Sequence, residues 1–132
     1  MDPLSLLKQA ADALQMSYSP YSKFKVGSAL LAQDNQVFLG TNIENVSFGA
    51  TICAERSALA SAISKGVREF KAIAIIGSDQ QYLLPCGICR QVLAEFNKNI
   101  EIYASSLELL KQNNYTKINL NEIFKAPFEN FN

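Results

Sequence analysis

Twelve basic and twelve acidic residues balance across 132 positions, which removes the positive field that a nucleic-acid binder needs. A hydrophobic content of 48% suffices for the core of one compact domain, and 18% charged residues leaves apolar surface for a subunit contact. Three cysteines, two of them spaced Cys-x-x-Cys, argue against a disulfide framework and for a reducing compartment.

The predicted elements alternate between helix and strand. Leu4, Leu7, Ala11 and Leu14 recur at helical spacing, so residues 4–17 read as an amphipathic helix behind Pro3. Ser17 to Ser22, with Pro20 and two tyrosines, reads as a loop. Two β-rich runs follow, Phe24 to Ala32 and Gln36 to Thr41, joined by Gln33-Asp34-Asn35 as an antiparallel hairpin. Asn42 to Ala50 is irregular. Thr51 to Lys65 is an alanine-rich helix stopped at Gly66. Lys71 to Ile76 has the pattern of a buried strand, and Pro85 stands ahead of a helix from Cys86 to Phe96. Ile100 to Ala104 is a strand, Leu107 to Gln112 a short helix, and Lys117 to Leu120 the last strand. This interleaving indicates a layered α/β domain with a mixed sheet. No linker or repeat divides it, so one domain is expected over residues 1–132. Met1-Asp2-Pro3-Leu4 does not open a signal peptide, and the apolar runs are too short to span a bilayer. A cytoplasmic protein without membrane partners is the expectation.

The chemistry is concentrated in Cys53-Ala54-Glu55-Arg56 and Pro85-Cys86-Gly87-Ile88-Cys89-Arg90-Gln91. The chain has no histidine, so Cys53, Cys86 and Cys89 are its only soft metal ligands. Three protein ligands and one open position describe a catalytic zinc, whereas structural zinc sites close all four. A redox pair would leave Cys53-Ala54-Glu55 unexplained, and a structural zinc would need a fourth ligand. Beside a metal, Glu55 becomes the natural general acid and base. Three thiolates around one zinc leave a formal charge of about −1. Arg56 and Arg90, each directly after a cysteine motif, are placed to offset that excess with charge-assisted hydrogen bonds.

These two motifs resemble the small, three-cysteine class of zinc cytidine deaminases. The resemblance extends to Tyr18-Ser19-Pro20-Tyr21-Ser22-Lys23-Phe24-Lys25-Val26-Gly27 and to Asn42-Ile43-Glu44-Asn45. It implies a three-layer α/β/α domain with a mixed five-stranded sheet, one zinc ion per chain, and a nucleoside substrate. It further implies that Asn42 and Glu44 hold the ribose hydroxyls, that Phe24 packs on the pyrimidine ring, and that the Ala54 N–H holds the ring carbonyl. Phe128, in Ala126-Pro127-Phe128, matches an aromatic residue that enters a neighbouring site within a homotetramer. Phe48 stands where the family more often has tyrosine.

The implied reaction is hydrolytic deamination of cytidine and 2′-deoxycytidine, with zinc-activated water as nucleophile and Glu55 as proton shuttle, in pyrimidine salvage. A related deaminase of aminoacyl-nucleoside antibiotics shares the cysteine motifs, but Asn42-Ile43-Glu44-Asn45 weighs against it. A non-catalytic zinc module would have no need of Glu55. At the C-terminus, Ile123, Phe124, Phe128 and Phe131 make a tail too apolar to stay in water, which suits docking on a second subunit.

Overall fold

A computed structural model describes residues 1–79 and 83–129. Its centre is a five-stranded sheet in the order β2-β1-β3-β4-β5. The strands are β1 (Val26–Ala32), β2 (Val37–Thr41), β3 (Phe70–Gly77), β4 (Glu101–Ser106) and β5 (Thr116–Asn119). β1 runs antiparallel to both β2 and β3, β3 pairs with β4 in parallel, and β4 with β5 antiparallel. The parallel pair needs a crossover, and α3 (Gly87–Phe96) supplies it.

Strand periodicity divides the sheet into two faces. Ala29, Leu31, Ala72, Ala74 and Ile76 pack against Leu6, Leu7, Ala10 and Leu14 of α1 (Pro3–Leu14), with α4 (Leu107–Lys111) beside them. Leu30, Ile73, Ile75 and Ile102 point the other way, onto Ala58, Leu59 and Ala62 of α2 (Ala54–Ser64) and onto Leu93 of α3. The result is a three-layer α/β/α arrangement. Covered on both faces, all seven residues of β1 are buried.

Element boundaries move where long-range bonds outcompete local preference. α1 opens on Pro3 with Asp2 accepting from the Ser5 N–H at 3.0 Å. It stops at Leu14 rather than Ser17, because Tyr18 leaves to pair with residues 42–44: its N–H donates to the Asn42 carbonyl at 3.2 Å and its carbonyl accepts from Glu44 at 2.8 Å. α2 begins at Ala54 rather than Thr51, since Ile52 exchanges two backbone bonds with Ile43, both 2.9 Å. β1 begins at Val26 rather than Phe24, whose N–H goes to the Ser22 hydroxyl. After β5 a short helical turn, α5 (Leu120–Ile123), is closed by a capping box of Asn119 and Glu122.

Two glycines bring helices directly onto strands. A Cβ on Gly27 would lie 2.1 Å from the Ala10 carbonyl of α1, and one on Gly40 would lie 2.3 Å from Ala54 O and 2.4 Å from Ala58 N of α2. α2 therefore rests on bare backbone at the turn that carries Glu55. Gly40→Ala is expected to cost about 1–3 kcal/mol of stability through overpacking, read by urea unfolding. Wild-type stability in that variant would mean that the first turn of α2 stands off the sheet.

Candidate active site

Both cysteine motifs cross from loop to helix at the same end of the sheet. Cys53 is the N-cap of α2 and Cys86 the N-cap of α3, each in extended backbone and neither using its side chain to cap its helix. The sulfurs turn toward each other instead. Cys53 Sγ and Cys86 Sγ are 3.8 Å apart, and the buried Cys89, in the first turn of α3, brings all three within 4.8 Å of one another. Among the described residues no other group of three or more candidate ligands converges in this way.

The donor set fits zinc. With Zn–S bonds of about 2.3 Å, tetrahedral geometry separates two sulfurs by about 3.8 Å. Two helix N-termini aim positive potential at these sulfurs. A hydrogen bond from Cys89 holds the Cys53 thiol down at about 5, and Arg56 and Cys86 add to the effect. The same bond pushes the Cys89 thiol up, with burial adding to it.

Glu55 follows on the first turn of α2, only 4% exposed. Burial pushes its carboxyl up to about 7, with the charge of Cys53 contributing in the same direction. It lines a cavity of about 220 Å³ together with Phe24, Val26, Asn42, Thr51, Ile52, Cys53, Ala54, Leu83, Leu84 and Cys86. Phe24, Asn42, Ala54 and Glu55, expected from the sequence, thus line one cavity with two of the cysteines. Leu83 and Leu84 were not foreseen. Their position directly before Pro85-Cys86 was the available signal.

The two arginines part company. Arg56 Nη2 donates to the Thr51 carbonyl at 3.3 Å and to Cys53 Sγ at 3.8 Å, while its buried Nε has no partner among the described residues. Arg90 instead gives Nε to the Pro85 carbonyl and Nη1 to the Ile123 carbonyl, each at 2.7 Å. It ties the turn before Cys86 to α5, and neither of these bonds goes to a sulfur.

Asn42 and Glu44 are committed to the loop that precedes β1. Asn42 Oδ1 accepts from the Ser17 hydroxyl and, at 3.0 Å, from the Val26 N–H, while Nδ2 donates to the Phe24 carbonyl at 2.8 Å. Glu44 Oε1 accepts from the N–H groups of Tyr21 and Ser22 at 3.0 and 3.1 Å, and Oε2 from the Ser22 hydroxyl. The Ser22 contacts hold the Glu44 carboxyl below its usual range. Glu44 is not among the residues lining the cavity. Phe128 lies on α3 rather than in the cavity of its own chain: its N–H and carbonyl are both held by the Gln91 side chain, at 3.0 and 2.9 Å, and it is 62% exposed. Ile123 and Phe124 of the tail pack on the core, and Phe131 lies outside the described residues.

Elemental analysis of purified protein is expected to return one zinc per chain, and Cys89→Ala to lose it. Two or more ions per chain, or undiminished metal in that variant, would contradict a site made of these three sulfurs.

Residues 2–104 match the cytidine and deoxycytidylate deaminase zinc-binding region. A cytidine deaminase of Halalkalibacterium halodurans is 42% identical over 129 residues, 97% of this chain and 95% of that one. One from Sporosarcina psychrophila is 46% identical over 109 residues, 82% of this chain and 80% of that one. Among solved structures, the cytidine deaminase of Burkholderia pseudomallei superposes with a TM-score of 0.90 at 38% identity, covering 97% of this chain and all 100% of that chain. The chain belongs to the zinc-binding cytidine and deoxycytidylate deaminase family.

Proposed function

We propose that this protein deaminates cytidine and 2′-deoxycytidine hydrolytically, giving uridine or 2′-deoxyuridine and ammonia. The observation that carries the reading is a buried carboxyl, Glu55, lining the same cavity of about 220 Å³ as Cys53 and Cys86. Zinc held by Cys53, Cys86 and Cys89 supplies the Lewis acidity that makes a water molecule nucleophilic near neutral pH.

The remaining work belongs to side chains and backbone. Glu55 removes a proton from the attacking water and delivers it to pyrimidine N3, which makes C4 electrophilic. Oxygen adds to C4; Glu55 then carries the second water proton to the amino nitrogen, the C4–N bond breaks, and ammonia leaves. A carboxyl near 7 suits both directions of transfer. Phe24 packs on the ring, the Leu83 and Leu84 side chains keep the cavity apolar, and the Ala54 N–H holds the ring carbonyl. That N–H is one of the first-turn donors of α2, whose N-cap offers no side-chain bond. Arg56 offsets thiolate charge at Cys53.

Donor and acceptor counts support the sugar assignment. Asn42 has both lone pairs of Oδ1 engaged and one of two Nδ2 hydrogens, which leaves one donor. Glu44 has three of about four acceptor positions filled, which leaves one acceptor on Oε2. One donor and one acceptor suit a single hydroxyl, so the pair tolerates ribose and 2′-deoxyribose alike.

The wider setting follows from the same reading: a single domain over residues 1–132, acting in cytoplasmic pyrimidine salvage as a homotetramer. Among the described residues no helix is long and apolar enough to cross a membrane. The exposed Phe128, together with Phe48 at 83% exposure, supplies apolar surface for subunit contacts, and Phe128 completes the pyrimidine pocket of a neighbour. Zero net charge speaks against nucleic acid as a substrate.

Loss of cytidine absorbance with matching ammonia release tests the activity, and Glu55→Gln is expected to lower kcat by about 10²–10⁴-fold with zinc retained. A loss under about tenfold with metal intact would remove Glu55 from the proton path. Phe128→Ala is expected to raise KM and to cost about 1–3 kcal/mol in kcat/KM, the loss of a base-stacking aromatic. An active monomer in sedimentation at assay concentration would overturn the shared site.

A further inference from the structure

The loop from Ser17 to Phe24 contributes more than its aromatic ring. Phe24 is gripped at both ends of its backbone: Asn42 Nδ2 donates to its carbonyl at 2.8 Å, and its N–H donates to the Ser22 hydroxyl at 3.0 Å. That hydroxyl in turn donates to Glu44 Oε2. A serine hydroxyl has one hydrogen to give and two lone pairs, and here the hydrogen goes to the carboxylate while a lone pair takes the Phe24 N–H. An ionised carboxylate can only accept, which sets the direction of the relay.

Between the two linked residues sits Lys23 at φ +63, a left-handed conformation that non-glycine residues adopt infrequently. Such a residue persists where its neighbours over-determine it. The neighbours are Ser22, held by Glu44 through hydroxyl and N–H, and Phe24, held at both ends. Both polar residues assigned to the sugar therefore also fix the backbone of the residue assigned to the ring, Asn42 directly and Glu44 only through Ser22.

We infer that Ser22 is a positioning residue for substrate binding, its hydroxyl joining the Glu44 carboxylate to the Phe24 backbone so that sugar contact and ring platform are set as one unit. The inference rests on the nucleoside reading of the pocket. Ser22 reaches the substrate through Glu44 and Phe24, and the chemical step at Glu55 lies outside its influence. Its signature is therefore in KM rather than kcat.

The experiment compares steady-state cytidine deamination by wild type, Ser22→Ala, Ser22→Thr, Glu44→Gln and the Ser22→Ala/Glu44→Gln double variant, with zinc content and thermal melting measured on each. Ser22→Ala is expected to raise KM about tenfold, the scale of a hydrogen bond to a charged group, with kcat within about twofold and zinc unchanged. Ser22→Thr, which keeps the hydroxyl, should restore most of the loss. The double variant should be little worse than Glu44→Gln alone, because the two residues act in one relay. A KM within twofold of wild type in Ser22→Ala, a loss seen equally in Ser22→Thr, or losses that add fully in the double variant would each overturn the inference. Wild-type protein inert on cytidine would overturn the nucleoside reading and this inference with it. A melting point lowered in Ser22→Ala with KM unchanged would assign the hydroxyl to loop stability alone and overturn the positioning role.

Discussion

Everything at the site depends on bringing the starts of two helices together at one end of the sheet. Three thiolates confined within a few ångströms repel one another strongly, and burial makes the repulsion worse. The fold answers by setting Cys53 and Cys86 at the N-caps of α2 and α3, where the helix dipoles carry partial positive charge. Arg56 adds a full charge at Cys53. Without histidine in the chain, these are the devices available for taming an all-sulfur centre, and they set how much negative charge the metal experiences.

Precision in that arrangement comes from the sheet behind it. α2 touches β2 through bare glycine backbone at Gly40, and the buried Ser28 hydroxyl donates to the Ala54 carbonyl at 2.8 Å. Both contacts act on the turn that carries Cys53, Ala54 and Glu55, so the carboxyl, the Ala54 N–H and one sulfur are braced together against the sheet. On the other side, Arg90 bonds the Pro85 and Ile123 carbonyls and anchors the second cysteine turn to α5. A proton carrier gains most from such rigidity, because transfer requires heavy atoms within about 3 Å.

The layered architecture was legible in the sequence because strand-like runs, continuous and apolar in β1 and β3, are interleaved with helical ones along the chain. Boundaries were less so. Thr51 and Ile52 carry no sign that a two-bond bridge to Ile43 will keep them out of α2, yet that bridge is what leaves Cys53 at the N-cap. The convergence of Cys53 with Cys86 and Cys89 was readable from ligand chemistry, since no other soft donors exist. The direction of Arg90 was not, because its carbonyl partner at Ile123 lies 33 residues away. Nor was the grip of Asn42 and Glu44 on the Ser17–Val26 loop, which depends on backbone groups that no residue type announces.

Zinc K-edge X-ray absorption on the native protein tests the arrangement most directly, because it reads the ligand shell without substrate, variant or assembly. The expected shell is three sulfurs at about 2.3 Å and one lighter atom at about 2.0 Å, a metal held by the two helix starts with one position open to the Glu55 cavity. Four sulfurs, or two or fewer, would contradict it.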